Sequence, residues 1–470
     1  MTVGSTCRCP NGRRIGERDE KCSWENCSIQ ILSDFAMRLA ISHKALWLVL
    51  AAVLCAAGMW IYASRVLIPY QISDAAAHGR PRGNLSDTYK LWIGAQELFL
   101  HGRDPYSPEV TRKIQAGYYG RPLDPDRPGD QNYQQAFSYP VYVAFGLAPA
   151  VHLPFEIVRK AFSWTLLGLT LATSPLWLRV LRWSVPLRWQ ASLILFTIGS
   201  LPVMQGLKLQ QITLFVVPLL SVAIALLASD RPISAGVLLA LTTIKPQLVC
   251  LLLFWLTIWT LADWRRRYRW AASFLFSMVI LCAASEWYLP HWIPRFWQAV
   301  REYHSYTGEM SAMDELIGAP WSRALELLAF AVMIGACWRE RRQAANTEEF
   351  GFMLSLVLAT TVLLVPTYGP YNQVLLIPAL LIMLKEGRTI WQRSVANRVL
   401  SVITIGLIVW PWLSSVALAG LSFVLPPETV ERGWAIPFWT ALLTPMGVVA
   451  LMLVHYYQRT FAASARPGSS

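Results

Sequence analysis

Long apolar runs alternate with short polar breaks along most of the chain. A membrane-spanning helix needs about 20 mainly apolar residues. The first such run is 45–64, ALWLVLAAVLCAAGMWIYAS, and a long polar stretch, 65–136, follows it. Further apolar runs lie near 137–153, 158–178, 189–207, 211–229, 232–247, 248–263, 269–289, 320–338, 350–366, 371–385, 398–420 and 434–457. The pattern therefore predicts an all-α polytopic membrane protein from about thirteen candidate segments.

Charge placement prunes that number. Basic clusters stand at Arg265, Arg266, Arg267 and Arg269, at Arg339, Arg341 and Arg342, between Lys385 and Arg398, and from Arg459 onward. Arg38 and Lys44 precede the first run, and Arg179, Arg182 and Arg188 lie between two others. Cytoplasmic loops carry the excess of Lys and Arg. Placing all of these inside puts both termini in the cytoplasm and requires an even number of spans, about twelve. The segment 137–153, interrupted by Pro140 and Pro149 and followed by Pro154, is the first choice for the one that does not cross; 189–207 is the alternative. The 65–136 loop, the 290–319 loop and the turns near 208–211, 245–247 and 367–373 then face outward.

Composition agrees. The chain has 470 residues, 55% hydrophobic and 15% charged, too few polar side chains for a soluble body. Its formal net charge of +13 sits mostly on the cytoplasmic breaks, where it labels orientation rather than a nucleic-acid surface. The expected organisation is a cytoplasmic tail over 1–44, one membrane domain over 45–460, and a second cytoplasmic tail over 461–470. Cys7, Cys9, Cys22 and Cys27 lie in the first tail in a spacing that fits no standard zinc finger. Met37 offers an alternative start, and the leader lacks the apolar core of a signal peptide.

The chemistry belongs to the few polar residues outside the cytoplasmic breaks. Within the first external loop, 86–102 reads SDTYKLWIGAQELFLHG. Leu91, Ala95, Leu98 and Gly102 recur at helical spacing while Lys90 and Glu97 are polar, which predicts an amphipathic helix along the membrane surface. Ser86 is its expected N-cap and Asp87 its first-turn acid. Asp87 is either a carboxylate held by the helix dipole or a general base for a hydroxyl. Asp74 is a second candidate acid, whereas Asp104, Asp124, Asp126 and Asp130 sit in turn sequences. Lys245, followed by Pro246 and Gln247, lies between apolar runs. A charge at membrane depth costs about 2.5–3.5 kcal/mol on insertion scales, so it either snorkels at a span end or meets a partner such as a lipid phosphate. Gln210 and Gln211 in one external turn, and Tyr368, Tyr371 and Asn372 in another, are residue types that hydrogen-bond sugar hydroxyls or anchor an interface. His304 is a candidate for proton transfer, set against an ordinary structural role. No P-loop, HExxH, GxSxG or dinucleotide fingerprint stands where it could work. The acids of 290–319 allow a divalent metal without requiring one, and no other cofactor is indicated.

The order of these pieces resembles the polytopic GT-C glycosyltransferases, and within them glycosyltransferase family 87, which includes mycobacterial phosphatidylinositol mannosyltransferases. The matching pieces are Asp87-Thr88-Tyr89, Gly102-Arg103-Asp104-Pro105-Tyr106, Ser138-Tyr139-Pro140, Gly206 to Gln211, and Lys245-Pro246, over about residues 45–385. Val141 stands where the family commonly has a second proline, and Ile212 where its Gly-Gln-x-Asn turn carries asparagine. The resemblance implies a GT-C fold and an enzyme of the inner (plasma) membrane whose site faces the periplasm. It implies transfer of a hexose, often mannose, with inversion from a polyprenyl-phosphate donor to a lipid or glycan hydroxyl. It gives Asp87 the role of base and a basic residue, here Lys245, the leaving phosphate. The competing readings are a transporter or lipid flippase, which predicts related halves that the sequence does not show, and a non-catalytic scaffold.

Overall fold

A computed structural model describes residues 46–80, 86–124, 126–127, 130, 134–307, 311–318, 321–364 and 369–464. The first 45 residues with their four cysteines and Met37, the last six residues, and Tyr368 lie outside the described residues.

Every regular element among the described residues is helical, and the chain is an all-α membrane protein. Helix α1 covers Leu46–Ala77, well past the expected end at residue 64. The reason is local. Pro69 has no N–H for an α-helical bond, and the chain absorbs it with a π turn over Ala63–Leu67 just before the proline. The buried Val66 and Leu67 then hold the extension in place.

Among the described residues six helices are long and apolar enough to cross a membrane, or seven if the pair Leu187–Ile198 and Leu201–Lys208, bent at a short break, counts as one, against the expected twelve or so. They are α1, α4 (Phe155–Val180), α10 (Trp264–Tyr288), α13 (Trp321–Glu340), α17 (Val395–Leu421), which follows the short α16 (Gly387–Arg393), and the segment Pro427–Thr460. The latter contains α18 (Pro427–Glu431) and most of α19 (Leu443–Ser464). Several other apolar runs are real helices but short. Helix α7 covers Thr213–Ala228, α8 Pro232–Thr242 and α9 Cys250–Leu261. Even the 16 residues of α7 rise only about 24 Å, less than a hydrocarbon core of about 30 Å. Hydropathy counts such runs as spans because it does not register where turns cut them.

Both segments between which the sequence left a choice are irregular. Val141–Ala150 is a 3-10 helix, about 20 Å long, between Pro140 and a turn. The 189–207 run breaks by 56° between α5 (Leu187–Ile198) and α6 (Leu201–Lys208). The break falls at Gly199, where a Cβ would stand 2.4 Å from the Ala56 backbone of α1, so only glycine permits this crossing. The 290–319 loop also gains structure, as α11 (Trp292–Thr307) and α12 (Ala312–Ile317).

The core centres on α14 (Glu348–Leu364), buried continuously from Phe350 to Leu363. It packs against α9, α13, α19, α15 (Ile377–Lys385) and a 3-10 turn over Pro370–Leu376. The polar segments form a cap. Helix α2 (Thr88–His101) lies against α3 (Pro108–Tyr119) and the Val141–Ala150 turn. Gly117 of α3 lets Tyr89 of α2 approach, and Gly94 lets Phe137 pack on α2, since a Cβ at either would overlap that ring. The expected surface-lying helix is therefore buried on its polar side as well. Glu97 is fully buried against Lys113 and Arg103, and Lys90 is only 2% exposed.

Candidate active site

Asp87 occupies the N-cap position of α2, one residue later than expected, and makes no side-chain capping bond. Its carboxylate is thereby available elsewhere. The cap is stitched to the Gln210–Gln211 turn. The Asp87 N–H donates to the Leu209 carbonyl at 2.9 Å, and the Thr88 hydroxyl donates to the Gln210 carbonyl at 3.3 Å. Gln210 takes a left-handed backbone, φ 52°. Successive side chains therefore diverge. The Gln211 amide donates to the Asp87 carboxylate, while the Gln210 amide turns away and donates to the Arg159 carbonyl and Ser163 hydroxyl of α4.

Lys245 follows the end of α8, where Pro246 stops regular helix. It is 4% exposed and does not snorkel. Its ammonium donates to the Thr213 hydroxyl at 2.7 Å and to the carboxamide oxygens of Gln211 and Asn372, each at 3.3 Å. It also stands 4.7 Å from the centre of the Tyr371 ring. Thr213 in turn donates to Asn372 at 3.0 Å. These partners fix the Gln211 amide by chemistry: its N–H₂ must face the carboxylate and its oxygen the ammonium. Gln211 thus bridges Asp87 and Lys245.

Asp87 and Lys245 share one cavity of about 210 Å³. Gln211, Gln247, Tyr371, Asn372 and His304 line it too, joined by Lys90, Ser138 and Tyr139. Helix α11 supplies an apolar wall of Phe296, Trp297 and Val300, with His304 two turns along from Trp297. Gln247 sits exposed at the rim. The His304 Nδ1 is buried with no hydrogen-bond partner among the described residues.

The turn at Gly102–Tyr106 organises this wall. Asp104 accepts from the Tyr106 N–H at 2.9 Å, an Asx turn, and pairs with Arg295 of α11 at 2.9 Å. The Tyr106 hydroxyl donates to the Tyr139 carbonyl at 2.6 Å. Burial, then the charge of Asp104, pushes the Tyr106 phenol well above its usual range, so it remains a donor.

Two expected candidates fall outside the cavity. Gln210 is one, for the backbone reason given. Asp74 is the other: it lies on the unexpected extension of α1, beside His78 and Arg80, with its side chain 41% exposed. Lys90 was legible only as a polar position on a surface helix. Its placement three residues after Asp87, on the same helix face, was the available signal; its ammonium is 4.0 Å from the Asp87 carboxylate and 5.7 Å from the Tyr139 ring centre. Thr213 gave no signal within an apolar run. Among the described residues no three His, Cys, Asp or Glu side chains form a metal-binding group. Asp314 instead forms a capping box with Ser311 and accepts from Ser322.

A sequence model of glycosyltransferase family 87 matches residues 137–366. That stretch contains Tyr139, Gln211, Lys245 and His304; Asp87, Lys90, Tyr371 and Asn372 flank it. No curated protein and no solved structure matches the chain.

Proposed function

We propose, from the premise that this chain is a membrane glycosyltransferase of family 87, that it transfers a hexose, mannose foremost, from a polyprenyl-phosphate donor to a hydroxyl of a lipid or glycan. The reaction is a single inverting displacement. Asp87 takes the proton from the acceptor hydroxyl, and the acceptor oxygen bonds to the anomeric carbon. The bond from that carbon to the phosphate oxygen breaks, and its electron pair leaves with the phosphate. Lys245 holds that phosphate as its charge grows. Donor binding exchanges the neutral Gln211 and Asn372 acceptors on Lys245 for an anionic phosphate oxygen, a bond between opposite charges, which is stronger. Tyr371, Asn372 and Gln247 offer contacts to the sugar, and His304 a second proton carrier. The fold is of GT-C type, with termini in the cytoplasm and the cavity on the outer face of the inner membrane.

The observation that carries this reading is the single cavity holding Asp87 and Lys245 with Gln211 between them. One acid, one phosphate-binding cation and no nucleotide fingerprint suit a donor already activated as a lipid phosphodiester. The test is incubation of the purified full chain with labelled polyprenyl-phosphate mannose, or glucose, and total membrane lipids. A labelled lipid or glycan product supports the reading and names the acceptor class. Movement of the donor across proteoliposomes with no transfer would replace it with a flippase.

A further inference from the structure

Helix α6 closes at a position that usually takes glycine. Past Lys208 the Gln211 N–H donates to the Gly206 carbonyl at 2.8 Å, and the Gln210 N–H donates to the Leu207 carbonyl at 3.2 Å. This paired closure of a helix end places a left-handed residue, most often glycine, where Gln210 stands. Gln210 adopts that backbone, at φ 52°, although its Cβ makes it unfavourable. A second cost accompanies the first. Gln210 is 3% exposed, and its carboxamide oxygen is buried with no hydrogen-bond partner among the described residues. Helix closure accounts for neither cost, since glycine would close α6 without them. What glycine would lack is the side-chain amide. Its N–H₂ donates to the Arg159 carbonyl at 2.6 Å and to the Ser163 hydroxyl at 2.5 Å, both on α4. A carbonyl only accepts, so the orientation of this amide is fixed.

We propose that Gln210 is a positioning residue for the base: its side chain ties the turn to α4, and the tied turn holds Asp87 in register. The inference rests on the function proposed above and adds to it a residue that does not line the cavity. Leu209 and Gln211, on either side of Gln210, both hold Asp87. The Leu209 carbonyl accepts the Asp87 N–H at 2.9 Å, and the Gln211 amide donates to the carboxylate. The Gln210 carbonyl accepts from the Thr88 hydroxyl at 3.3 Å. One residue earlier, Lys208 donates to Gln71 of α1 at 2.6 Å. The turn is thus fastened to α1, to α4 and to the start of α2, and a shift at Gln210 moves both groups that aim the carboxylate. Strained backbone persists where its surroundings over-determine it, and such strain collects at functional sites.

The test is Gln210→Gly, which keeps the left-handed backbone without steric cost and deletes the tie. The purified full chain in nanodiscs is given labelled polyprenyl-phosphate mannose and total membrane lipids. Backbone hydrogen exchange is followed in parallel over peptides covering 86–89 and 205–214. The variant should lose about three- to tenfold in kcat, the worth of one neutral hydrogen bond, with KM for the donor unchanged. Its melting temperature should stay near that of wild type, because glycine also relieves the backbone and removes the orphan oxygen. Exchange at the Asp87 amide should quicken. Combined with Gln211→Leu, the loss should be smaller than the product of the two single losses, because both act on the aim of one carboxylate. Ser163→Ala approaches the tie from α4; it should quicken the same exchange and add nothing to Gln210→Gly. A kcat for Gln210→Gly within twofold of wild type, or a defect lying wholly in KM, would overturn the proposal. So would full multiplication with Gln211→Leu, or exchange unchanged in both Gln210→Gly and Ser163→Ala. Quickened exchange alongside a wild type that transfers no sugar contradicts the transfer reading alone and leaves the tie standing.

Discussion

Gln211 bonds to both Asp87 and Lys245, and Gln211→Leu removes both bonds while keeping a similar volume. A hydrogen bond to a charged group contributes about 1.5–3 kcal/mol. The bond to Lys245 is long, at 3.3 Å, and the ammonium keeps its 2.7 Å bond to Thr213, so little of the loss falls there. The bond to Asp87 matters more. Without it the carboxylate, 14% exposed, keeps Lys90 at 4.0 Å and is no longer aimed across the cavity. Misaiming a base costs transition-state stabilisation rather than donor affinity. The full value of one such bond corresponds to a loss in kcat of about ten- to 150-fold, with KM for the donor changed little. The assay is steady-state transfer from polyprenyl-phosphate hexose by the purified variant, with thermal melting to verify folding. A folded Gln211→Leu protein with kcat within twofold of wild type, or one whose whole defect lies in KM, would refute the bridging role.

Other consequences follow from the cap that carries Asp87. Gly117→Ala places a Cβ 1.7 Å from the Tyr89 hydroxyl, and overpacking of this kind costs about 1–3 kcal/mol. The melting temperature should fall and transfer should fall with it, because Tyr89 is two residues from Asp87. Adding Tyr89→Phe should restore only part, since the next ring atom is 2.4 Å away. At the edge of the cap, the Arg121 guanidinium and the Asp124 N–H hold the Asp130 carboxyl well below the usual carboxylate range. A lowered native value contributes stability above the unfolded value of about 3.9 and loses it as pH falls through the native value. Melting curves should therefore show Asp130→Asn less stable than wild type at pH 7, with the gap closing in strong acid; a gap constant with pH would contradict the pairing.

What the sequence made legible tracks what is local. The α2 helix and the Asp104 turn follow from short-range rules, and each is present. Asp87 and Lys245 stood out because a patterned external loop and a lysine among apolar residues are anomalies that need a reason. The extent of α1 was hidden because a π turn accommodates Pro69, and a proline ordinarily argues for a break. The span count was hidden for the opposite reason, since apolar runs continue across turns that cut the helices. Lys90 and Glu97 looked like a solvated face because periodicity does not show what covers that face. The separation of Gln210 from Gln211 depends on one left-handed residue, which the pair of glutamines does not announce.

The central claim is that Asp87 acts as base in a cavity that otherwise binds its donor. It is tested most directly by Asp87→Asn, which keeps the shape of the side chain and removes its charge. Purified wild-type and variant chains in proteoliposomes are given labelled polyprenyl-phosphate mannose and total membrane lipids, with donor binding measured in parallel. The account predicts a labelled product from wild type, and from Asp87→Asn intact donor binding with transfer reduced at least about a hundredfold, within the range general-base catalysis supplies. Transfer by Asp87→Asn at a rate near wild type would contradict it.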